Sequence, residues 1–243
     1  MNRNLYLILM LAFVLPFSSC NDEETIESKT VVIETDFNKV ATSISPDGWS
    51  AVFAEYPDGG NEFYELNSGI KNLPEPLDQT KKAFMLSGNN HSDALQMWLV
   101  KQLSGLSPES RYSIETEVEL ASKYPDGSVG IGGSPGNSVH LVSKFATQGY
   151  TLEKGKTEGD NVQLVLKKVE AVLESVMNTD LGDVSITSDQ YVYQLINRKK
   201  SSESNVVITD NDGKLWAVVG TWSGFEGIST LYYTRIKFIL TKI

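Results

Sequence analysis

The sequence predicts an all-β protein, an antiparallel sandwich, and three observations carry that expectation. Short runs alternate apolar and polar side chains at period two, clusters of Gly, Pro, Asn and Asp separate them, and the 3.6-residue period of helices is mostly missing. At 243 residues, 40% apolar and 21% charged, the chain has the size and composition of one globular domain, or at most two small ones. Neither a disordered tail nor a coiled coil has this make-up.

Residues 1–19 carry Arg3, an apolar run over 5–17 and then Ser18-Ser19 directly before Cys20. That run is too short for a bilayer, which takes about 20 residues as a helix, and it reads as a cleaved secretory signal. Residues 14–20, small side chains followed by the sole cysteine, resemble a bacterial lipobox. The resemblance implies that Cys20 is acylated and becomes the first residue of the mature chain. A thioether-linked diacylglycerol plus an N-acyl chain supplies several tails, which anchor more firmly than one reversible chain. Ordinary cleavage leaving a free thiol is the less favoured alternative.

Asn21-Asp22-Glu23-Glu24 opens an acidic tether over 20–30. An acidic stretch behind a lipidated cysteine resembles the surface-export signal of Bacteroidetes lipoproteins, which implies the outer face of the outer membrane. A solvated linker with no address is an equal alternative. The folded body is expected over 31–243, touching the membrane only through its acyl chains.

In the first strand Val31, Ile33, Thr35 and Phe37 share one face, with Val32, Glu34 and Asp36 on the other. Ser45-Pro46-Asp47-Gly48 breaks the chain, and strands are expected over 49–56, 83–86 and 95–103. The last carries Trp98 in an apolar centre that should be buried on both faces. Over 111–121 Tyr112, Ile114, Thr116, Val118 and Leu120 face one way and Ser113, Glu115, Glu117 and Glu119 the other. A one-residue slip would bury three carboxylates, so the register is fixed.

Strands over 129–131 and 138–144 flank a glycine-rich loop, and another is expected over 190–196. A hairpin follows, 206–209 and 215–220 around Asp210-Asn211-Asp212-Gly213, then a return strand over 231–240. Residues 162–176 fit a helix by period but also split into two β-branched runs around Lys167-Lys168. Both readings stand, with strands favoured.

Thirty-one acidic against 21 basic residues give a net charge of −10, which excludes a footprint for a nucleic-acid backbone and argues against a polyanionic ligand. One cysteine excludes an intrachain disulfide, and two histidines leave little for a transition-metal centre. No cofactor is expected, a structural calcium ion excepted, and composition says nothing of the oligomeric state.

The run from Gly213 to Tyr233, with Gly220-Thr221-Trp222-Ser223-Gly224-Phe225-Glu226-Gly227 at its centre and Leu231-Tyr232-Tyr233 at its end, is similar to the ending of a group of secreted or anchored bacterial proteins. Upstream matches lie at 129–136 and, more loosely, at 177–182. The group has no established activity and brings no catalytic residues. The resemblance implies a jelly roll similar to galactose-binding-like modules, in which the Met177 segment ends a strand.

Asp210, Asn211 and Asp212 cluster the oxygens that suit calcium, but the twelfth position of an EF-hand loop falls on Thr221 instead of Glu. A hairpin turn, in which Asn and Asp accept positive φ and Gly supplies it freely, is favoured. In the loop at 221–227, Trp222, Phe225 and Glu226 offer an apolar platform for a pyranose face beside an acceptor for its hydroxyls. Inward packing of the two aromatics as a cap is the commoner fate of such rings. His91, His140, Ser92 and Ser134 read as surface turns or core filler.

The leading expectation is a lipid-anchored envelope β-sandwich that binds glycan through Trp222, Phe225 and Glu226. Two others stand beside it: a glycan hydrolase with paired carboxylates, among which Glu115, Glu117 and Glu119 more readily form a solvated face, and a structural subunit of a surface complex with an exposed apolar patch.

Overall fold

The computed structural model describes residues 29–40, 46–154, 160–168 and 175–243, those at 202–205 by backbone only. The signal segment, Cys20 and nearly all of the acidic tether lie outside the described residues. So does 169–174, the middle of the segment read as helix or strands.

The described residues form β1 (Thr30–Asp36), β2 (Ser50–Ala54), β3 (Asn67–Asn72), β4 (Lys82–Asn90), β5 (Gln96–Leu103), β6 (Arg111–Ser122), β7 (Val139–Ala146), β8 (Tyr150–Glu153), β9 (Gln163–Leu166), β10 (Val176–Asp183), β11 (Gln194–Ile208), β12 (Leu215–Ser223) and β13 (Gly227–Lys242). One sheet runs β11-β6-β13-β4-β3, with β1 on the distal half of β13, and the other runs β10-β7-β12-β5-β2. Every pairing between these strands is antiparallel. From β4 to β7, and again from β11 to β13, successive strands alternate between the sheets, the jelly-roll manner of winding.

Alternation decides which side chains meet between the layers. On β6, Tyr112, Ile114, Thr116, Val118 and Leu120 are buried, while Glu115, Glu117 and Glu119 stand outward at intermediate exposure. The inner faces share one apolar cluster, to which Phe84, Leu120, Tyr233 and Phe238 come from the first sheet and Met97, Leu99, Leu141 and Phe145 from the second. Phe145 and Phe238 meet edge-on across the layers at 5.2 Å, and burying side chains of this kind contributes roughly 1.5–3 kcal/mol each. A buried hydrogen bond from Ser143 Oγ to Thr116 Oγ1, 3.1 Å, also spans them.

The double burial expected of the Trp98 strand is present, and its cause is a small separate sheet. The β8–β9 pair brings Tyr150, Leu164 and Leu166 onto the outer face of the second sheet, where Trp98, Val100 and Val218 are buried against them. Residues 163–166 are thus strand, and Val176 begins β10. The Met177 segment opens a strand instead of ending one.

Two further expectations fail. Residues 129–131 form no strand: Val129 and Ile131 are 94% and 72% exposed, and a single bridge joins Ile131 to Glu226. The segment at 206–209 is no arm of a hairpin either. It is the end of β11, which starts at Gln194, and β11 and β12 belong to different sheets. The turn between them holds because Asp210 Oδ1 accepts from the backbone N–H of Asp212 (3.0 Å) and of Lys214 (2.7 Å). Gly213 sits at φ +70°, where a Cβ would come 2.2 Å from the Leu106 carbonyl oxygen. Period-two patterns mark Val207 and Leu215 as inward-facing but not as facing inward from opposite layers.

Candidate functional site

Asn90, 2% exposed, organises the end of the sandwich where the sugar-site candidates lie. Ser223 N donates to Leu95 O at 3.1 Å, but the return bond of that ladder step is missing. The Asn90 amide fills the gap: its Oδ1 accepts from Leu95 N (3.3 Å), and its Nδ2 donates to Ser223 O (2.9 Å) and Phe225 O (2.8 Å). One buried side chain therefore fixes both the 91–95 loop and the 223–226 loop.

The structure separates the three residues proposed from the sequence. Phe225 packs against the core cluster, and its ring fills the space beside Gly130, where a Cβ would lie 2.5 Å from it. It is a cap. Glu226 is tied through its backbone, donating its N–H to Ile131 O at 2.9 Å. Trp222 alone presents its ring, 41% exposed, on the outer face of the second sheet. The split follows from geometry, because Trp222 is the last outward position of β12 whereas Phe225 comes after the strand, where the chain turns inward over the sandwich end.

A partner for Trp222 comes from β7. His140 stands directly opposite it in the ladder, and the two rings lie 5.5 Å apart at 31°. His140 is thus half-buried on the outer face beside the exposed Trp222 ring, and is not core filler. Further along the same face, Trp98 Nε1–H donates to Gln96 Oε1 at 3.0 Å, and the Lys144 ammonium lies 4.3 Å from the Trp98 ring centroid. Burial pulls the Lys144 pKa below its ordinary value, opposed in part by the Glu55 charge. Alternation within 138–144 could have placed His140 and Lys144 on one face. Only the β7–β12 register could place Trp222 beside them.

The remaining candidates are occupied otherwise. Asp210 is spent on its turn and Asp212 Oδ2 takes the Lys214 ammonium at 3.1 Å, so both carboxylates serve the connection. Among the described residues no group of three or more His, Cys, Asp or Glu could hold a metal ion. Glu115 pairs with Lys199 (2.9 Å), Glu117 with Arg235 (2.8 Å), and Glu119 accepts from Thr234 Oγ1 (2.7 Å). These bonds make the outer face of β6 a charged ladder. His91 stacks on exposed Phe63 with centroids 4.3 Å apart, in a surface turn. A groove of about 260 Å³ on the outer face of the first sheet, bounded by Asp36, Lys82 and Arg235, carries charges of both signs and presents no aromatic ring.

Fold and site together define an all-β, two-sheet antiparallel sandwich with an exposed tryptophan paired with a half-buried histidine on one outer face. No family model matches the chain, and no curated protein matches it. The enzymatically active domain of bacteriophage CBA120 tailspike protein 4 is similar at 6% identity and a TM-score of 0.37, over 81% of this chain and 20% of that one. This chain thus spans about a fifth of the tailspike's length. The K1 cleaved adhesin domain of Lys-gingipain from Porphyromonas gingivalis gives 9% and 0.36, over 86% and 97%. The CBM22-1 xylan-binding domain of Paenibacillus barcinonensis Xyn10C gives 11% and 0.36, over 87% and 94%. No side chain of this protein takes a role from them.

Proposed function

We propose that this is a lipid-anchored protein of the cell envelope that binds glycan on the outer face of its second sheet, with Trp222 and His140 as the platform. The observation that carries the binding is the exposed Trp222 ring beside His140 on rigid strands. A sugar ring presents an apolar face of C–H groups that stacks on an aromatic, and exposing an indole to water without a ligand is costly for a residue type that is mostly buried. Anchoring is supported by the apolar leader and the small residues before Cys20, and an outer-face location by the acidic tether.

The test is a glycan array probed with the mature protein and with Trp222→Ala. Wild type should bind a defined set of glycans and the variant should lose about tenfold in affinity, the scale of one lost aromatic contact. Equal binding by both, or none by either, removes the reading. Mass spectrometry of protein purified from cells should find acyl chains on Cys20, and an unmodified thiol would remove the anchor.

A structural-subunit role rests on a different observation, the exposed Val129, Ile131 and Ile228 near the Ile131–Glu226 bridge. It requires a stable partner to accompany the protein out of the envelope.

A further inference from the structure

The outer face of the second sheet also carries a positive charge, the Lys144 ammonium. Lys144 lies four residues from His140 on β7 and on the same side of the strand, about 13 Å away at 3.3 Å per residue. Its side chain crosses β12 to place the ammonium over Trp98 on β5, whose ring is fully buried. Attraction to the indole face holds the ammonium there. Among the described residues no oxygen accepts a hydrogen bond from it, and Glu55 acts on it only through space. Three N–H donors on a half-buried cation are thus left for something else to satisfy. Directly across the ladder on β10, Asn178 is exposed and adds an amide donor. Asp180, two residues on and opposite Val142, is exposed on the same face and disfavours a second negative group.

We infer that this face selects a glycan carrying a single carboxylate, a uronic-acid sugar, with a pyranose ring against Trp222 and His140 and the carboxylate on the Lys144 ammonium. The inference rests on the glycan reading above and names its ligand class. An ammonium–carboxylate hydrogen bond is stronger than a neutral one, and it gains further where burial has already removed water from the cation. A polyuronide is disfavoured, since the net charge of −10 repels a long polyanion while one local cation can still hold one carboxylate.

The experiment uses the mature protein and a panel of oligosaccharides with one glucuronic or galacturonic acid, each paired with its carboxyl-reduced neutral counterpart, measured by titration calorimetry. The acidic member of the bound pair should bind about tenfold tighter than the neutral one, as expected for one charge-assisted hydrogen bond. Lys144→Met keeps an apolar stem over Trp98 and should abolish that preference, and Lys144→Arg should retain it. Raising the salt concentration should shrink the preference in wild type. Equal binding of both members by wild type, or a preference that survives Lys144→Met, overturns the assignment to Lys144 while the Trp222 platform stands. Binding of no member of the panel by wild type, together with no glycan bound by wild type on the array, overturns both.

Discussion

Replacing Asn90 by Ala removes a buried side chain that joins two loops at the platform end, and the cost can be worked from its partners. The substitution strands Ser223 O, which loses the Asn90 Nδ2 donor that reaches it across the break in the ladder, and Leu95 N, whose acceptor was Asn90 Oδ1. Phe225 O keeps the Ser223 hydroxyl at 2.9 Å, and Ser92 N lies close enough to the surface to find water. Two buried backbone groups left unpaired, at roughly 1–3 kcal/mol each, put the loss at about 3 kcal/mol. For a chain of this size that corresponds to a fall of about 6–12 °C in Tm. Urea denaturation of Asn90→Ala and Asn90→Asp beside wild type provides the measurement. The Asp variant keeps the acceptor for Leu95 N but cannot donate to Ser223 O or Phe225 O, so it should also be destabilised. A loss under about 1 kcal/mol in the Ala variant would refute the view that Asn90 completes the ladder, because even one orphaned buried carbonyl costs that much.

Two further outcomes follow from buried and charged groups. Tyr233 is fully buried, neither its hydroxyl nor that of nearby Thr221 makes a well-formed hydrogen bond among the described residues, and burial pushes its phenol well above the ordinary range, with Thr221 opposing only in part. Tyr233→Phe should therefore leave stability unchanged or raise it by about 1 kcal/mol, and a loss of that size would show that the hydroxyl is satisfied after all. Acid should weaken the fold: the hydrogen bond from Asn197, with Arg235, Lys237 and Lys199 behind it, holds Glu117 below its ordinary pKa. In Asp47 burial pushes upward, but Lys101 and Thr35 together outweigh it, and in Asp183 Ser185, Asn137 and Arg198 do the same. A carboxylate whose pKa is depressed by folding contributes stability above its unfolded value, about pH 4, and that contribution is lost as the pH falls through the folded value. Urea midpoints should hold from about pH 7 to 5 and drop below about pH 4. Asn197→Ala should reduce the drop, and a flat profile down to about pH 3 would contradict it.

The strand content of this protein was written in the sequence because alternation is a local signal. Glu115, Glu117 and Glu119 could only face water while Tyr112, Ile114, Val118 and Leu120 faced the core, and β6 forms in that register. The polar edge strand β3 escaped notice for the converse reason, since only Ile70 among its six residues is a large apolar side chain. Of the candidate site, Trp222 was legible as an aromatic beside glycines. The roles of His140 and Lys144 are not legible there, since nothing in a single strand's pattern says which neighbour it will lie against.

That neighbour is what tertiary structure decided. Two strands with the same inward pattern can join one sheet or face each other across the core, and β11 and β12 take the second course although a tight turn connects them. The pairing of β7 with β12 is set by the fit of whole layers over the shared apolar cluster, not by residues near His140 or Trp222. Local chemistry determined where this chain would run extended and which face of each strand would be dry. The free energy of packing two sheets, summed over many distant contacts, determined which exposed rings and charges would stand together.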